Sequence, residues 1–245
     1  MELSFSIKQP HVRAKIIGVI LIVTGIVFLF SDSSLYIKLG FSSILIGIFM
    51  IFMITERSIP RKISDAQIEG NLNVIKNITK ELNLAGNAVF LPKSDILTEE
   101  RIFIPLNKTD IKLPRLDNDL VFSTGSDGKS IGVSIPPSGI KLLKEIEKEV
   151  DFENAGIENV EEKLQTFVGM NLLKSVNFKK GENGWELQLE KPIFCVNDQN
   201  ICRQYPCPTC SAVLSAITQV DKEKIWIKDI THNGKKITFH LKIGE

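Results

Sequence analysis

The residues with reactive chemistry cluster at one place. Cys195, Cys202, Cys207 and Cys210 are the only cysteines of the 245-residue chain, and they read C-x6-C-x4-C-x2-C. Thiolates are soft ligands, and four of them around one ion make the tetrahedral site favoured by structural zinc. Cys207-Pro208-Thr209-Cys210 has the two-residue spacing of a zinc knuckle, which supplies two ligands from one turn. The Cys195 and Cys202 pair is spaced more widely than a knuckle. The same four residues, Cys207 to Cys210, also suit a redox dithiol, with Cys207 attacking and Cys210 resolving. An apolar helix pattern follows them (Ala212, Val213, Leu214, Ala216, Ile217), and a helix N-terminus favours the thiolate. Pro208 in its first turn removes no helical hydrogen bond. The third alternative is packing alone. Ile193-Phe194-Cys195-Val196 predicts a strand interior in which Cys195 acts as a small apolar residue.

Other chemistries lack their residues. Gly125-Ser126-Asp127-Gly128-Lys129-Ser130 has glycines three apart where a phosphate loop needs five, and it predicts a turn. There is no serine nucleophile elbow and no His-Glu-x-x-His pair. His11, His232 and His240 are too scattered for a catalytic triad. Lys and Arg number 30 against 29 Asp and Glu, a net charge of +1, so no broad basic surface calls for nucleic acid. The balance favours a non-enzymatic module.

The elements that hold the cysteines follow a very different head. Residues 16–30 and 39–55 carry no charge and are apolar on every face. Each is slightly short of the roughly 20 residues that cross a hydrocarbon core, and Arg13, Lys15 and Lys38 extend the reach by snorkelling. A cleaved signal peptide is disfavoured, because Ser31-Asp32-Ser33-Ser34 is no cleavage site and a second apolar run comes at once. Gly18 and Gly25, and Gly40 and Gly47, place small residues near one face of each run, where two helices can approach closely. Lys8, Arg13 and Lys15 precede the pair, Arg57, Arg61 and Lys62 follow it, and the turn has only Lys38. That bias puts both ends in the cytoplasm, with the lipid bilayer as first partner. A cytosolic body disfavours disulfides, and clustered thiols there point to metal or redox chemistry. The triplets Asn77-Ile78-Thr79 and Asn107-Lys108-Thr109 would be glycosylation acceptors only if the body were outside.

The expected organisation is a transmembrane hairpin with basic flanks over residues 1–56, a juxtamembrane linker over 57–63, and a cytosolic α+β domain over 64–245. Ser64-Asp65-Ala66-Gln67 predicts a capping box that opens a helix with Ile68, Leu72, Ile75, Ile78 and Leu82 on one face. Short strands follow near 87–91, 101–106, 120–123 and 131–135, then helices carrying Leu142, Leu143 and Ile146, and Val160, Leu164 and Phe167. The end of the chain reads as β-hairpin, helix, β-hairpin, with the helix at about 207–220. Gly181-Glu182-Asn183-Gly184 turns the first hairpin. Asn233-Gly234 turns the last as a two-residue loop, setting Ile230 beside Ile237, Lys228 beside Phe239, Trp226 beside Leu241 and His240 opposite Ile227. Helices do not alternate with every strand, which argues against a doubly wound parallel sheet.

Three resemblances attach to these residues. Cys207-Pro208-Thr209-Cys210 resembles the Cys-Pro-x-Cys of glutaredoxins, which implies thiol exchange; that family places its motif after an early strand, whereas here it lies near the C-terminus. The element order over 157–243 is similar to the C-terminal half of the 4-vinyl-reductase domain family and related vesicle-tethering subunits, which implies a small-molecule-binding or scaffold role. The membrane hairpin and the Cys207–Ser211 segment together resemble uncharacterised archaeal membrane-anchored proteins that end in Cys-Pro-x-Cys-Ser, which implies a location and no activity. The combined expectation is a membrane-anchored cytosolic binding, sensory or scaffold module, with a candidate zinc at Cys195, Cys202, Cys207 and Cys210. The alternative is a membrane-tethered oxidoreductase using Cys207 and Cys210.

Overall fold

The computed structural model describes residues 10–31, 33–53, 61–108, 113, 121–124, 131–152, 156–181, 184–195 and 198–244. Residue Lys8, residues 54–60, Thr109, the 125–130 turn, the 182–183 loop, and the side chains of Arg13 and Lys15 lie outside that description. The chain divides into two compact units, residues 1–61 and 62–245.

The first unit is a pair of helices, α1 (Pro10–Leu29) and α2 (Ser34–Met53). They cross at glycines. A Cβ on Gly25 would lie 2.7 Å from the Gly40 carbonyl oxygen, and one on Gly47 would lie 2.7 Å from that of Gly18. Only hydrogen fits there. Ser43 Oγ donates across the pair to Leu21 O at 2.8 Å. Among the described helices, the Ser34–Phe52 stretch alone is long and apolar enough to cross a membrane, judged by length and composition. The apolar part of α1, Ile16–Leu29, is shorter.

The second unit is a mixed α+β domain that ends in β-hairpin, helix, β-hairpin. Helix α3 (Arg61–Glu81) precedes the strands β1 (Val89–Leu91), β2 (Arg101–Pro105), β3 (Phe122–Thr124) and β4 (Ile131–Ile135). Then come α4 (Ile140–Ile146), a 3-10 turn at Ile157–Asn159, α5 (Val160–Gly169), and the hairpin of β5 (Ser175–Gly181) and β6 (Gly184–Glu190). Two helices, α6 (Gln199–Gln204) and α7 (Pro208–Asp221), lead to the last hairpin, β7 (Ile225–Asn233) with β8 (Lys236–Ile243). All eight strands join one sheet in the order β3-β4-β2-β1-β7-β8-β6-β5, and every neighbouring pair is antiparallel.

Strand alternation sorts side chains between two cores. Phe90, Ile102, Ile104, Leu187, Ile230 and Phe239 join α4, α5 and α7 in the main core. Val89, Leu91 and Phe103 point the other way and pack with Leu97 and Trp226 in a smaller one. Helix α7 lies in the main core, with residues 209–220 all buried. The polar side chains among them are uncharged, and the burial fixes the position of Cys210.

Three expectations need correction. Helix α3 begins at Arg61, so Ser64 stands within the helix and caps nothing; residues 61–63 of the expected linker are helical. Strand β6 ends at Glu190, and Ile193 and Phe194 form a turn, so Cys195 is not inside a strand. The last hairpin pairs Asn233 with Lys236, which makes Gly234 and Lys235 the loop, and sets Ile230 opposite Phe239, His232 opposite Ile237, Asp229 opposite His240 and Ile227 opposite Leu241. A register shift between Ile227 and Asp229 gives β7 an extra residue, Lys228. The bulge lets Ile225, Ile227 and Ile230 all face the main core, which strict alternation would forbid. Trp226, assigned by the simple register to that face, packs instead with Val89 and Phe103.

Candidate metal centre

The cysteines are positioned by a turn, a short helix and the start of a long one. The turn follows β6. Lys191 and Phe194 both take positive φ, 50° and 61°, a backbone region that disfavours a bulky aromatic side chain by about 1–3 kcal/mol. The turn is tied down at Ile193, whose N–H donates to Leu172 O at 2.9 Å and whose carbonyl accepts from Thr209 Oγ1 at 2.7 Å. Thr209 lies within the Cys207-to-Cys210 knuckle, so this bond ties the Cys195 turn to the helix that carries the other ligands.

Helix α6 brings the third thiol. Asp198 caps it, accepting from Asn200 N at 3.1 Å and Ile201 N at 3.4 Å. Ile201 and Cys202 are its buried residues. Cys207 occupies the N-cap of α7, Pro208 opens that helix, and Ser211 N donates to Cys207 O at 2.8 Å. The entry segment is held outside the knuckle as well, because Ser138 Oγ donates to Pro206 O at 2.6 Å.

These supports gather the sulfurs. The Sγ atoms of Cys195, Cys207 and Cys210 all lie within 4.8 Å of one another. Cys202 hydrogen-bonds to Cys195 and receives the Cys207 backbone N–H, so it adjoins the trio at its Cys195 side. None of the four is in a disulfide, and Cys202, Cys207 and Cys210 are buried while Cys195 is half-buried. Charge is unevenly shared. Hydrogen bonds from the Cys195 and Cys210 thiols, with the Cys210 backbone N–H, pull Cys207 down to about 5 despite burial. Cys210 is pushed up, first by its hydrogen bonds to Cys195 and Cys207 and then by burial. Cys202 is pushed up too, by its bond to Cys195 and by desolvation. Of the three shifted cysteines, Cys207 is the one whose thiolate its surroundings favour.

Three sulfurs in one set, two of them buried, can coordinate a metal ion. An all-sulfur donor group enclosed by apolar side chains fits zinc, since zinc–thiolate bonds of about 2.3 Å place tetrahedral sulfurs within about 4 Å of each other. Bound zinc would supply charge for further thiolates and cross-link the turn to α7.

Two groups of functional interest escape the sequence patterns. One is α6 with Asp198 and Gln204; its only signal is an Asp preceding Gln199-Asn200-Ile201. The other is Glu100, which is 1% exposed. Burial raises its carboxyl to about 7, and neither of its oxygens has a hydrogen-bond partner among the described residues. Gln219 donates to Glu147. In sequence, Glu100 sits in a charged run beside Glu99 and Arg101 and carries no mark of burial.

Residues 8–170 match the family described as Domain of unknown function (DUF7982), more than half of the chain, and the chain belongs to that family. The match takes in α1 through α5 and stops before β5, so the cysteine centre lies beyond it. No curated protein and no solved structure matches the chain.

Proposed function

We propose that this DUF7982-family chain is a membrane-anchored cytosolic binding, sensory or scaffold module whose body is locked by a structural zinc held by Cys195, Cys202, Cys207 and Cys210. The observation that carries the proposal is the mutual set of three sulfurs within 4.8 Å. Cys202, which hydrogen-bonds to Cys195, is the fourth ligand. The role is structural because three of the four ligands are buried and the set is all cysteine, whereas catalytic zinc keeps a position open to substrate. The anchor is α2, with α1 as a second span, and the excess of cations outside the hairpin turn orients both ends to the cytoplasm. Protease added to intact cells should leave the body whole, and Asn77 should carry no glycan; external cleavage or a glycan would reverse the orientation.

The low titration of Cys207 favours a second function, thiol–disulfide exchange by Cys207 and Cys210. Burial opposes it, because Cys207 is 1% exposed and Cys210 is 0% exposed, and an attacking sulfur must reach its partner.

Metal analysis of the full chain, purified in detergent under reducing conditions, separates the two. A structural site gives one zinc per chain. Each of Cys195→Ser, Cys202→Ser, Cys207→Ser and Cys210→Ser then loses the zinc and lowers the melting temperature by on the order of 10 °C. Retention of full zinc by Cys202→Ser would reduce the site to three protein ligands. A metal-free, fully folded protein would end the zinc proposal, and loss of thiol exchange confined to Cys207→Ser and Cys210→Ser would establish the dithiol.

A further inference from the structure

We propose that α6 is a clasp through which metal occupancy controls whether α3 is seated on the body; this rests on the zinc site proposed above. Helix α3 is the first helix of the body in chain order. Its hold is slight. Among its described side chains, Leu72 and Thr79 are buried, while Ile63, Val74 and Ile78 are exposed. The seam beside it is unfilled. A groove of about 370 Å3 runs between Leu72, Val74 and Ile75 of α3 and Ser138, Tyr205 and Pro208 of the body. Elements with little buried apolar contact open at low free energy.

Two polar ties reach α3 and its exit from the metal loop, and the exit is also held by the backbone bonds of Ala85 N to Leu106 O at 2.9 Å and Gly86 N to Pro105 O at 3.0 Å. Lys76 Nζ donates to Asp198 Oδ2 at 2.7 Å, and Asp198 is the N-cap of α6. At the far end of α6, Gln204 Nε2 donates to Leu84 O at 2.5 Å and reaches Gly86 O at 3.3 Å, where the chain leaves α3. One short helix therefore grips α3 in its middle and at its exit. Helix α6 is itself enclosed between ligands: Cys195 precedes it, Cys202 lies within it, and Cys207 follows it. A six-residue helix has little stability of its own, since nucleation is unfavourable at such length. Its C-terminal half is also attached by the 2.6 Å ion pair of Arg203 with Asp229, by the Ala88 N–H to Arg203 O bond at 2.8 Å, by Tyr205 Oη to Pro136 O at 3.2 Å, and by the burial of Ile201 and Cys202. The N-terminal half, which holds Lys76, depends on the turn at Cys195. Losing the metal frees that half, and Asp198 with it.

Hydrogen–deuterium exchange on the full chain in detergent micelles tests the clasp, comparing zinc-loaded protein with protein stripped by EDTA under reducing conditions. Removal should speed amide exchange in residues 68–82 about tenfold or more while α5, β6 and β8 keep their protection. Unchanged exchange in α3 after zinc is gone would overturn the clasp and leave the zinc site standing. Equal loss of protection in α3 and the strands would also overturn it, because the metal would then support the whole body. Absence of zinc in the starting protein, read by metal analysis, would remove the site and the clasp together. The double variant Lys76→Met/Gln204→Leu touches no ligand. It should bind zinc at full stoichiometry and yet show the fast α3 exchange of stripped protein; slow exchange would sink the proposal.

Discussion

Helix α7 and the hairpin helices α1 and α2 are built from similar material and meet opposite surroundings. Residues 209–220 of α7 are all buried in the body. In the hairpin Val27 is 63% exposed, Phe49 61% and Phe52 77%. Each helix is met at close range by a glycine, Gly139 against Pro208 and Ala212 of α7 and Gly25 against Gly40 in the hairpin. The difference lies in the polar atoms. Thr209 and Gln219 hydrogen-bond to neighbouring elements, at Ile193 O and Glu147, and Thr218 bonds back to Leu214 O of its own helix, while the Ser211 and Ser215 hydroxyls are buried without a hydrogen-bond partner among the described residues. The hairpin has one described side-chain bond between its helices, from Ser43 to Leu21 O. A helix buried by its own domain can carry polar groups that neighbouring elements partner, as Ile193 and Glu147 do for Thr209 and Gln219. The hairpin leaves its apolar faces bare, and of its two helices the stretch Ser34–Phe52 is long and apolar enough by composition to cross a membrane.

The largest effect should come from placing a charge in each environment. Ala212 is 0% exposed and faces the Gly139 backbone, so Ala212→Asp should cost more than about 4 kcal/mol and leave the body unfolded by circular dichroism. The matched change Phe49→Asp should leave the body's cooperative unfolding intact and instead reduce the fraction of chain recovered with membranes. If Ala212→Asp folds normally, the contrast between a helix buried by protein and one left for lipid is wrong.

Next is the acid beneath α7. Burial holds the Glu100 carboxyl up at about 7, above its unfolded value, so its neutral form is favoured in the fold. Its contribution is complete below the unfolded pKa and disappears as pH rises through about 7. Stability should therefore fall between pH 5 and pH 8 by on the order of 3 kcal/mol. Glu100→Gln should flatten that slope in a pH series of denaturant unfolding. A slope unchanged in the variant would place its origin elsewhere.

Gly139→Ala should follow in size. Its new Cβ would press on Pro208 O and on the Ala212 backbone, neither of which is a flexible tip, at a cost of about 1–3 kcal/mol. Since Pro208 lies inside the cysteine knuckle, zinc affinity should weaken in the same variant. A drop in melting temperature with undisturbed zinc affinity would show that the knuckle is held independently of α4.

Much of this contrast was legible in the sequence, because two long charge-free runs and one run broken by Ser and Thr differ in composition alone. The clustering of thiols was legible as well, since ligands close in sequence need little help to meet. What escaped depended on tertiary override. Ile193-Phe194-Cys195 has strand-forming side chains, yet Phe194 is held in a left-handed turn at φ 61° by bonds to Leu172 and Thr209. The register of the last hairpin hinged on Lys228, whose bulge shows only as the three-residue step from Ile227 to Ile230 in an otherwise alternating strand. Helix α6 is too short and polar to show periodicity. Glu100 offered nothing, because a buried acid and an exposed one are spelled alike.

The smallest expected effect is at the hairpin crossing, and it asks whether the two apolar environments obey one packing rule. On Gly25 a Cβ would meet Gly40 O and the Ile44 side chain, each at 2.7 Å, and on Gly47 it would meet Gly18 O and the Ile22 side chain, each at 2.7 Å. Backbone is the obstacle at both sites, so Gly25→Leu and Gly47→Leu should push the helices apart and strip Ser43 of its partner. In lipid or detergent there is no hydrophobic gain from pairing two apolar helices, and what is lost is close packing and one hydrogen bond, roughly 1–2 kcal/mol. Resistance to sodium dodecyl sulfate unfolding should fall in both variants, while zinc content and the body's melting temperature stay as they were. Gly70 is the control, because a Cβ there meets nothing within 4 Å and Gly70→Ala should strengthen α3 slightly. If both leucine variants resist detergent like the parent chain, the glycines of the hairpin are incidental and its helices are held by something other than the close approach that α4 makes to α7.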